Sequence, residues 1–148
     1  MFHQGPNPII LVVEDDASLR GLIVYMLNRH GFATVDTGFA AEALSIVRSR
    51  KGMFDLALVD VIMPRMSGLD LAGELDREYP DLKILYMSGF TSSVVTDALQ
   101  RRSPDRLLLK PFNEQALVER VQYLLTARRE AASEPRATEP QARSGTLG

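Results

Sequence analysis

The chain has 148 residues, 45% of them hydrophobic and 24% charged, which is ordinary usage for one globular domain that buries a sizeable core. Its 17 basic and 19 acidic residues give a net charge of −2, so no positive field exists to attract nucleic acid or an anionic membrane surface. The absence of cysteine excludes disulfides, thiolate metal sites and thiol catalysis, and it suits a reducing compartment.

The first half of the chain alternates short apolar runs with helical patterns. Residues 9–13 form a β-branched run that predicts a strand buried on both faces. Over residues 19–27, apolar side chains recur three and four positions apart, which predicts a helix that stops near Gly31. A short strand at 33–35 and a second helical stripe at 40–47 follow.

The second half continues the same alternation. Three further apolar runs predict strands at 56–60, 83–87 and 107–109. Each is followed by a helical stripe, at 69–75, 94–99 and 117–125. Asn113 is placed to cap the last helix. Strands that alternate with helices imply right-handed crossovers and an α/β fold with a doubly wound parallel sheet of five strands and five helices.

Both ends of the chain fall outside this alternation. The opening residues lack the basic and apolar regions of a signal peptide, and no apolar run approaches the roughly 20 residues of a membrane span. From about Ala127 the sequence has no aromatic residue and only Leu147 as a large aliphatic. We therefore predict a cytoplasmic protein with an N-terminal extension at 1–8, one folded domain at 9–126 and a disordered tail at 127–148.

Acidic residues stand where two of the predicted strands finish. Glu14 and Asp15 follow the first strand and Asp60 ends the third. In a doubly wound sheet the strand ends share one edge, so we expect the three carboxylates to converge there. Their mutual repulsion is relieved by a hard divalent cation such as Mg²⁺. The alternative is that Asp15 or Asp16 merely caps the first helix, and we assign that role to Asp16.

Asp60 and two other polar residues at strand ends predict phosphoryl chemistry. A carboxylate fixed at a strand end can act as a nucleophile when a metal and a cation neutralise the transferring phosphoryl oxygens. Lys110, followed by Pro111, supplies the cation, although it can also be read as a solvated surface lysine. Ser88 can donate a hydrogen bond to a phosphoryl oxygen, although a serine before Gly89 is often a turn residue.

The segments VVEDD, LVDVIMPRMSG, YMSG and LLLKPF, in this order, resemble the receiver domain of two-component response regulators. The resemblance covers about residues 9–126. It implies a flavodoxin-like (CheY-like) sheet with strand order 2-1-3-4-5. It also implies that Asp60 is the phosphoacceptor and that the peptide between Lys110 and Pro111 is cis.

The same resemblance assigns the other polar residues of the site. Glu14 and Asp15 match the acidic pair that holds Mg²⁺ beside the phosphoacceptor, and the backbone carbonyl of Ile62 matches the remaining protein ligand. Ser88 matches the switch hydroxyl of the family, and Lys110 matches the lysine that pairs with the phosphoryl group.

Three positions depart from the family pattern. Leu107 stands where many receivers carry Tyr or Phe, so the usual aromatic readout is absent and switching is expected to rest on Ser88. Ile62 and Phe90 are apolar where many receivers carry polar side chains near the path of the attacking water. We hypothesise that the phosphoryl group is lost slowly, while the alternative is that both residues are rim contacts for a partner.

The resulting hypothesis is a single-domain response regulator, not an enzyme, that accepts a phosphoryl group on Asp60 from a histidine kinase or phosphotransfer protein. It would act as a monomer or weak homodimer through protein contact, a phosphorelay or a phosphate sink, using the face of the fourth helix, fifth strand and fifth helix. Alternatives are a receiver detached from a hybrid histidine kinase, an aspartyl-phosphate phosphatase and a flavodoxin-like cofactor module. The phosphatase would require a second aspartate where Ile62 stands. The cofactor module would require a loop rich in Gly, Ser or Thr after the first strand.

Overall fold

The computed structural model describes residues 7–89 and 93–133. Five parallel strands form one sheet in the order β2-β1-β3-β4-β5. The strands are β1 (Ile9–Val13), β2 (Ala33–Thr37), β3 (Leu56–Asp60), β4 (Lys83–Ser88) and β5 (Leu107–Leu109). The predicted parallel sheet and its strand order are confirmed, and β2 and β4 run slightly beyond the predicted ends.

Five α-helices connect and follow the strands. They are α1 (Ala17–Asn28), α2 (Ala40–Ser49), α3 (Gly68–Glu78), α4 (Ser93–Arg102) and α5 (Glu114–Ser133). A single 3₁₀ turn at Pro104–Arg106 leads into β5. Within the described ranges, no helix combines the length and the apolar character that crossing a membrane requires.

The three inner strands β1, β3 and β4 are buried on both faces, as their continuously apolar runs predict, whereas the edge strand β2 is partly exposed. Leu11 of β1 and Val59 of β3 belong to one apolar layer, which includes buried side chains of α2 and α3 and receives Val95 and Leu99 of α4. Ile10, Val12 and Leu58 belong to the opposite layer, which includes buried side chains of α1 and α5. Two helical layers therefore enclose the sheet and leave only its ends to carry polar chemistry.

Side-chain caps fix where the helices begin. The Asp16 carboxylate accepts a hydrogen bond from the Leu19 N–H at 3.1 Å, which confirms Asp16 as the cap of α1. The Asn113 side chain accepts from the Ala116 N–H at 2.8 Å, which confirms the predicted cap of α5. These bonds satisfy N–H groups that the first helical turn leaves unpaired.

The C-terminal helix is longer than the sequence pattern indicates. α5 continues through Ser133, whereas a disordered tail is predicted from residue 127. The segment ARREAA at 127–132 consists of strong helix formers, so it can extend an existing helix without adding to the core. The rest of the predicted tail, 134–148, and residues 1–6 of the predicted N-terminal extension lie outside the described residues.

Candidate functional site

The carboxylates at the strand ends converge as predicted. Glu14 and Asp15 follow β1 and Asp60 closes β3, and these two strands are neighbours in the sheet. One carboxylate oxygen from each of the three residues lies within 4.8 Å of the others. Glu14 and Asp60 are buried, with 1% and 5% of their surface exposed, whereas Asp15 faces solvent. The cluster of three carboxylates is thus open to solvent at Asp15 and enclosed by protein at Glu14 and Asp60.

Lys110 bridges the two buried carboxylates. Its Nζ donates to Glu14 Oε1 at 3.0 Å and to Asp60 Oδ2 at 2.8 Å. Burial works against the ammonium charge, but the hydrogen bonds to Asp60 and Glu14 outweigh it and raise the pKa of Lys110. The alternative of a solvated surface lysine is wrong, because the ammonium group is held between two acids.

Glu14 holds its proton more tightly than an ordinary glutamate. Burial raises the pKa of Glu14 to about 7, and hydrogen bonds from the Asp16 N–H and from Lys110 oppose this effect without cancelling it. The negative charge of Asp60 adds to the rise. A cation that displaces this proton would remove the electrostatic conflict between the two carboxylates.

Backbone groups hold the phosphoacceptor candidate in place. The Ile62 N–H donates to Asp60 Oδ1 at 3.1 Å, while Lys110 occupies the other carboxylate oxygen. The Lys110 N–H donates to the Ser88 carbonyl at 2.8 Å, and the peptide bond from Lys110 to Pro111 is cis, as the resemblance implies. Both oxygens of Asp60 are therefore oriented before any ligand arrives.

Gly68 allows α3 to start directly against Asp60. A Cβ atom at this position would lie 1.9 Å from the Asp60 carbonyl oxygen, a distance no real contact permits. The Gly68 N–H donates to the Val61 carbonyl at 3.0 Å, which ties the start of α3 to the loop after β3. Only glycine permits this approach, so it fixes the backbone that carries the carboxylate.

Arg20 is a supporting residue that the sequence pattern did not single out. Its Nη1 donates to the Glu14 carbonyl at 2.7 Å, and its Nε donates to Asp36 Oδ2 of β2 at 3.0 Å. The guanidinium group thereby joins α1, β2 and the loop that carries the acidic pair. Its planar fork suits this double contact in a way that a lysine ammonium does not.

Ser88 ends β4 next to the acidic group but faces a different partner. The hydroxyl group is buried and shares a hydrogen bond with Thr96 Oγ1 of α4. A second, longer contact of 3.4 Å reaches the Gly89 carbonyl. Among residues 7–89 and 93–133, no hydrogen bond joins Ser88 to Asp60. The switch residue suggested by the resemblance thus points toward α4 in this structure.

The three departures from the family pattern have different outcomes. Leu107 is buried, with 4% of its surface exposed, and pairs in register with Tyr86 of β4. Ile62 is 57% exposed in the loop after Asp60, which suits either the shielding or the partner-contact interpretation. Phe90 lies outside the described residues.

The donor set fits a hard divalent cation. Carboxylate oxygens are the ligands that Mg²⁺ prefers, and three of them lie close enough together to share one ion. Thiolate ligands are excluded because the sequence has no cysteine. Glu14, Asp15 and Asp60 would hold the ion, which would add its positive charge to that of Lys110.

Fold and site together define a class of protein. It is a doubly wound α/β domain in which three carboxylates and a lysine meet at the carboxyl edge of the sheet, where ligands bind in this architecture. The family model of the response regulator receiver domain matches residues 10–122. The chain therefore belongs to the response regulator receiver domain family, a family of signalling domains that typically bind Mg²⁺ at an acidic pocket.

Individual relatives agree with this assignment. The chain is 32% identical over 118 residues to the response regulator receiver protein CpdR of Brucella abortus, a match that covers 80% of this chain and 97% of CpdR. It is 31% identical to the sensor kinase CckA of the same organism, covering 78% of this chain but only 12% of the kinase.

Solved receiver structures share the fold. The receiver domain of NtrX from Brucella abortus superimposes with a TM-score of 0.71 at 27% identity, covering 79% of this chain and 98% of that domain. A CheY-like receiver protein from Methanospirillum hungatei gives a TM-score of 0.75 at 24% identity, over 84% of this chain and 98% of the other.

Proposed function

We propose that the protein is a phosphorylation-controlled signalling domain that accepts a phosphoryl group on Asp60. The observation that carries this proposal is the environment of the Asp60 carboxylate. It is buried, bonded to Lys110 at 2.8 Å, and grouped with Glu14 and Asp15 within the reach of one cation. Such a carboxylate is oriented for attack and surrounded by groups that stabilise phosphoryl charge.

The proposed reaction is a direct transfer. An oxygen of Asp60 forms a bond to phosphorus while the bond from phosphorus to the donor's imidazole nitrogen breaks, and that nitrogen keeps the electron pair. Lys110 then pairs with a phosphoryl oxygen in place of its bond to Asp60. Asp60, the Glu14 and Asp15 pair and, by the family resemblance, the Ile62 carbonyl would hold Mg²⁺, which would supply the remaining positive charge at the phosphoryl oxygens.

The partner that fits this reaction is a phosphohistidine donor, either a histidine kinase or a histidine phosphotransfer protein. Similarity to the receiver protein CpdR and to part of the sensor kinase CckA supports a place in two-component signalling. Output by protein contact would use the surface of α4, β5 and α5. The match over 97% of the receiver protein CpdR supports the single-domain regulator, and the similar match to a part of CckA supports the alternative of a receiver detached from a hybrid kinase.

The phosphatase alternative has no support at the position that matters most for it. Such a phosphatase needs an acid–base carboxylate two residues after the nucleophile, and Ile62 stands there with an apolar, exposed side chain.

Ile62 can instead shield an acyl phosphate from water. We expect Ile62→Asn to shorten the half-life of the phosphorylated protein, with Leu22→Asn, an exposed leucine of α1, as the control. If the phosphorylated Ile62→Asn and Leu22→Asn variants had equal half-lives, the shielding role of Ile62 would be refuted.

Incubation with acetyl phosphate and Mg²⁺, read by intact mass, tests the proposed function. The wild-type protein should gain one phosphoryl group, and Asp60→Asn should gain none. Asp76→Asn, which changes an exposed aspartate of α3, is the matched control and should behave like the wild type. Phosphorylation of Asp60→Asn, or none of the wild-type protein, would refute the assignment.

A further inference from the structure

Thr96 is the residue through which α4 contacts the candidate switch hydroxyl. Its side chain is buried, with 8% of the residue exposed, and its Oγ1 lies 2.5 Å from Ser88 Oγ. The neighbouring Val94 is 81% exposed, and Val95 packs against the core layer shared with α3. Thr96 is therefore an inward-facing hydroxyl on a helix that also reaches the surface.

The Ser88 hydroxyl carries a single proton, so it can donate to Thr96 or to a phosphoryl oxygen but not to both at once. In this structure it is bonded to Thr96 Oγ1 at 2.5 Å, and among the described residues no hydrogen bond joins it to Asp60. A rotation about the Ser88 Cα–Cβ bond toward a phosphoryl oxygen would break the bond to Thr96. The buried Thr96 hydroxyl would then lose the hydrogen-bond partner that it has among the described residues, and such a loss is costly for a buried polar group.

We propose that Thr96 is a positioning residue that couples Asp60 phosphorylation to α4. It holds Ser88 away from the site in the unphosphorylated protein. When Ser88 turns to the phosphoryl group, the unpaired Thr96 hydroxyl favours a rearrangement of α4 that lets water reach it. This inference rests on the proposed function, and it gives α4 a hydroxyl sensor in a chain whose β5 carries Leu107 in place of an aromatic ring.

Beryllium trifluoride, which adds to a carboxylate as a phosphoryl mimic, tests the coupling. Thr96→Val keeps the side-chain shape but removes the competing hydroxyl, so Ser88 is free to turn. We expect the mimic, in the presence of Mg²⁺, to bind Thr96→Val about two- to tenfold more tightly than wild type, the range of one neutral hydrogen bond. Thr96→Ser should restore wild-type affinity. Thr34→Val, which removes an exposed hydroxyl on β2, is the matched control.

Amide hydrogen exchange in α4 gives a second measurement. Its response to the mimic would not depend on Thr96 if the role of Thr96 were merely structural. In the wild-type protein, adding the mimic should lower amide protection in α4. In Thr96→Val, no hydroxyl is left unpaired, so protection should stay constant. In Ser88→Ala, Thr96 lacks its partner from the start, so α4 should be less protected and insensitive to the mimic.

The outcomes separate this inference from the proposed function. If the wild-type protein binds the mimic but Thr96→Val matches Thr34→Val in affinity and still loses α4 protection, the role of Thr96 is refuted and phosphorylation of Asp60 stands. If the wild-type protein neither binds the mimic nor gains a phosphoryl group on Asp60, both fail. Tighter binding together with unchanged α4 protection in Thr96→Val supports the coupling.

Discussion

The protonation of Glu14 predicts an unusual pH dependence of stability. Burial raises the pKa of this residue to about 7 from an ordinary value of 4.5. The folded protein thus binds this proton more tightly than the unfolded chain does. The stability that this proton contributes is complete below pH 4.5 and is lost as the pH rises through 7, provided that no cation binds.

The comparison of wild type with Glu14→Gln isolates this effect, because glutamine resembles the protonated acid at every pH. A pKa difference from 4.5 to about 7 corresponds to roughly 3 kcal/mol at about 1.4 kcal/mol per unit. Without Mg²⁺, the variant should match the wild type near pH 4.5 and exceed its free energy of unfolding by about this amount at pH 8. Urea denaturation at several pH values measures the difference.

Addition of Mg²⁺ at pH 8 should make the wild-type protein more stable than Glu14→Gln. The wild-type protein gains stability by binding the ion, whereas the variant has lost one carboxylate ligand and gains less. Below pH 7 the proton competes with the ion, so the affinity of the wild type for Mg²⁺ should fall about tenfold per pH unit, as measured by titration calorimetry. A difference between the two proteins that does not change with pH would refute the reasoning.

Three other changes probe the groups around the acidic cluster. Gly68→Ala brings a Cβ atom within 1.9 Å of the Asp60 carbonyl and should lower the unfolding midpoint and slow phosphorylation, while Gly73→Ala, with open space around it, should do neither. Equal effects of the two would contradict this geometry. Arg20→Ala frees the loop that carries the acidic pair, so Mg²⁺ binding measured by calorimetry should weaken several-fold. Unchanged affinity would contradict the supporting role of Arg20. Lys110→Ala removes a competing cation, so Mg²⁺ should bind more tightly while phosphorylation by acetyl phosphate slows by about a hundredfold; a parallel loss of both would argue against separate roles.

Much of the architecture follows from apolar patterning alone. Four of the strands could be placed because their continuous apolar runs differ from the helical stripes, whereas β2 is a short and partly exposed edge strand. The meeting of Glu14, Asp15, Asp60 and Lys110 follows from one further rule, that the carboxyl ends of parallel strands share an edge. Strand order itself came from the family resemblance, since no local pattern specifies which strands are neighbours.

The contacts of Arg20 and Thr96 could not be predicted in the same way. The contact between Arg20 and Asp36 depends on how β2 lies beside β1, which no local pattern shows. The contact between Thr96 and Ser88 depends on how α4 is rotated about its own axis, and the apolar stripe of that helix is weak. The extension of α5 has no apolar stripe to signal it, because residues 127–132 continue the helix through their intrinsic helix propensity.

The aromatic ring absent from β5 has a counterpart on β4, and its surroundings support the role given to Thr96. Tyr86 pairs in register with Leu107, and the Arg106 guanidinium lies 5.9 Å from its ring centroid. Arg106 Nε is in turn bonded to the Ile84 carbonyl at 3.0 Å, so the ring is covered by a fixed group. Tyr86 is 9% exposed and its ring lies under this fixed guanidinium group, which restricts the movement of the ring. The Ser88 hydroxyl, by contrast, is a small group bonded to Thr96 of α4, and its ability to change partners suits it to carry a signal from Asp60 to α4.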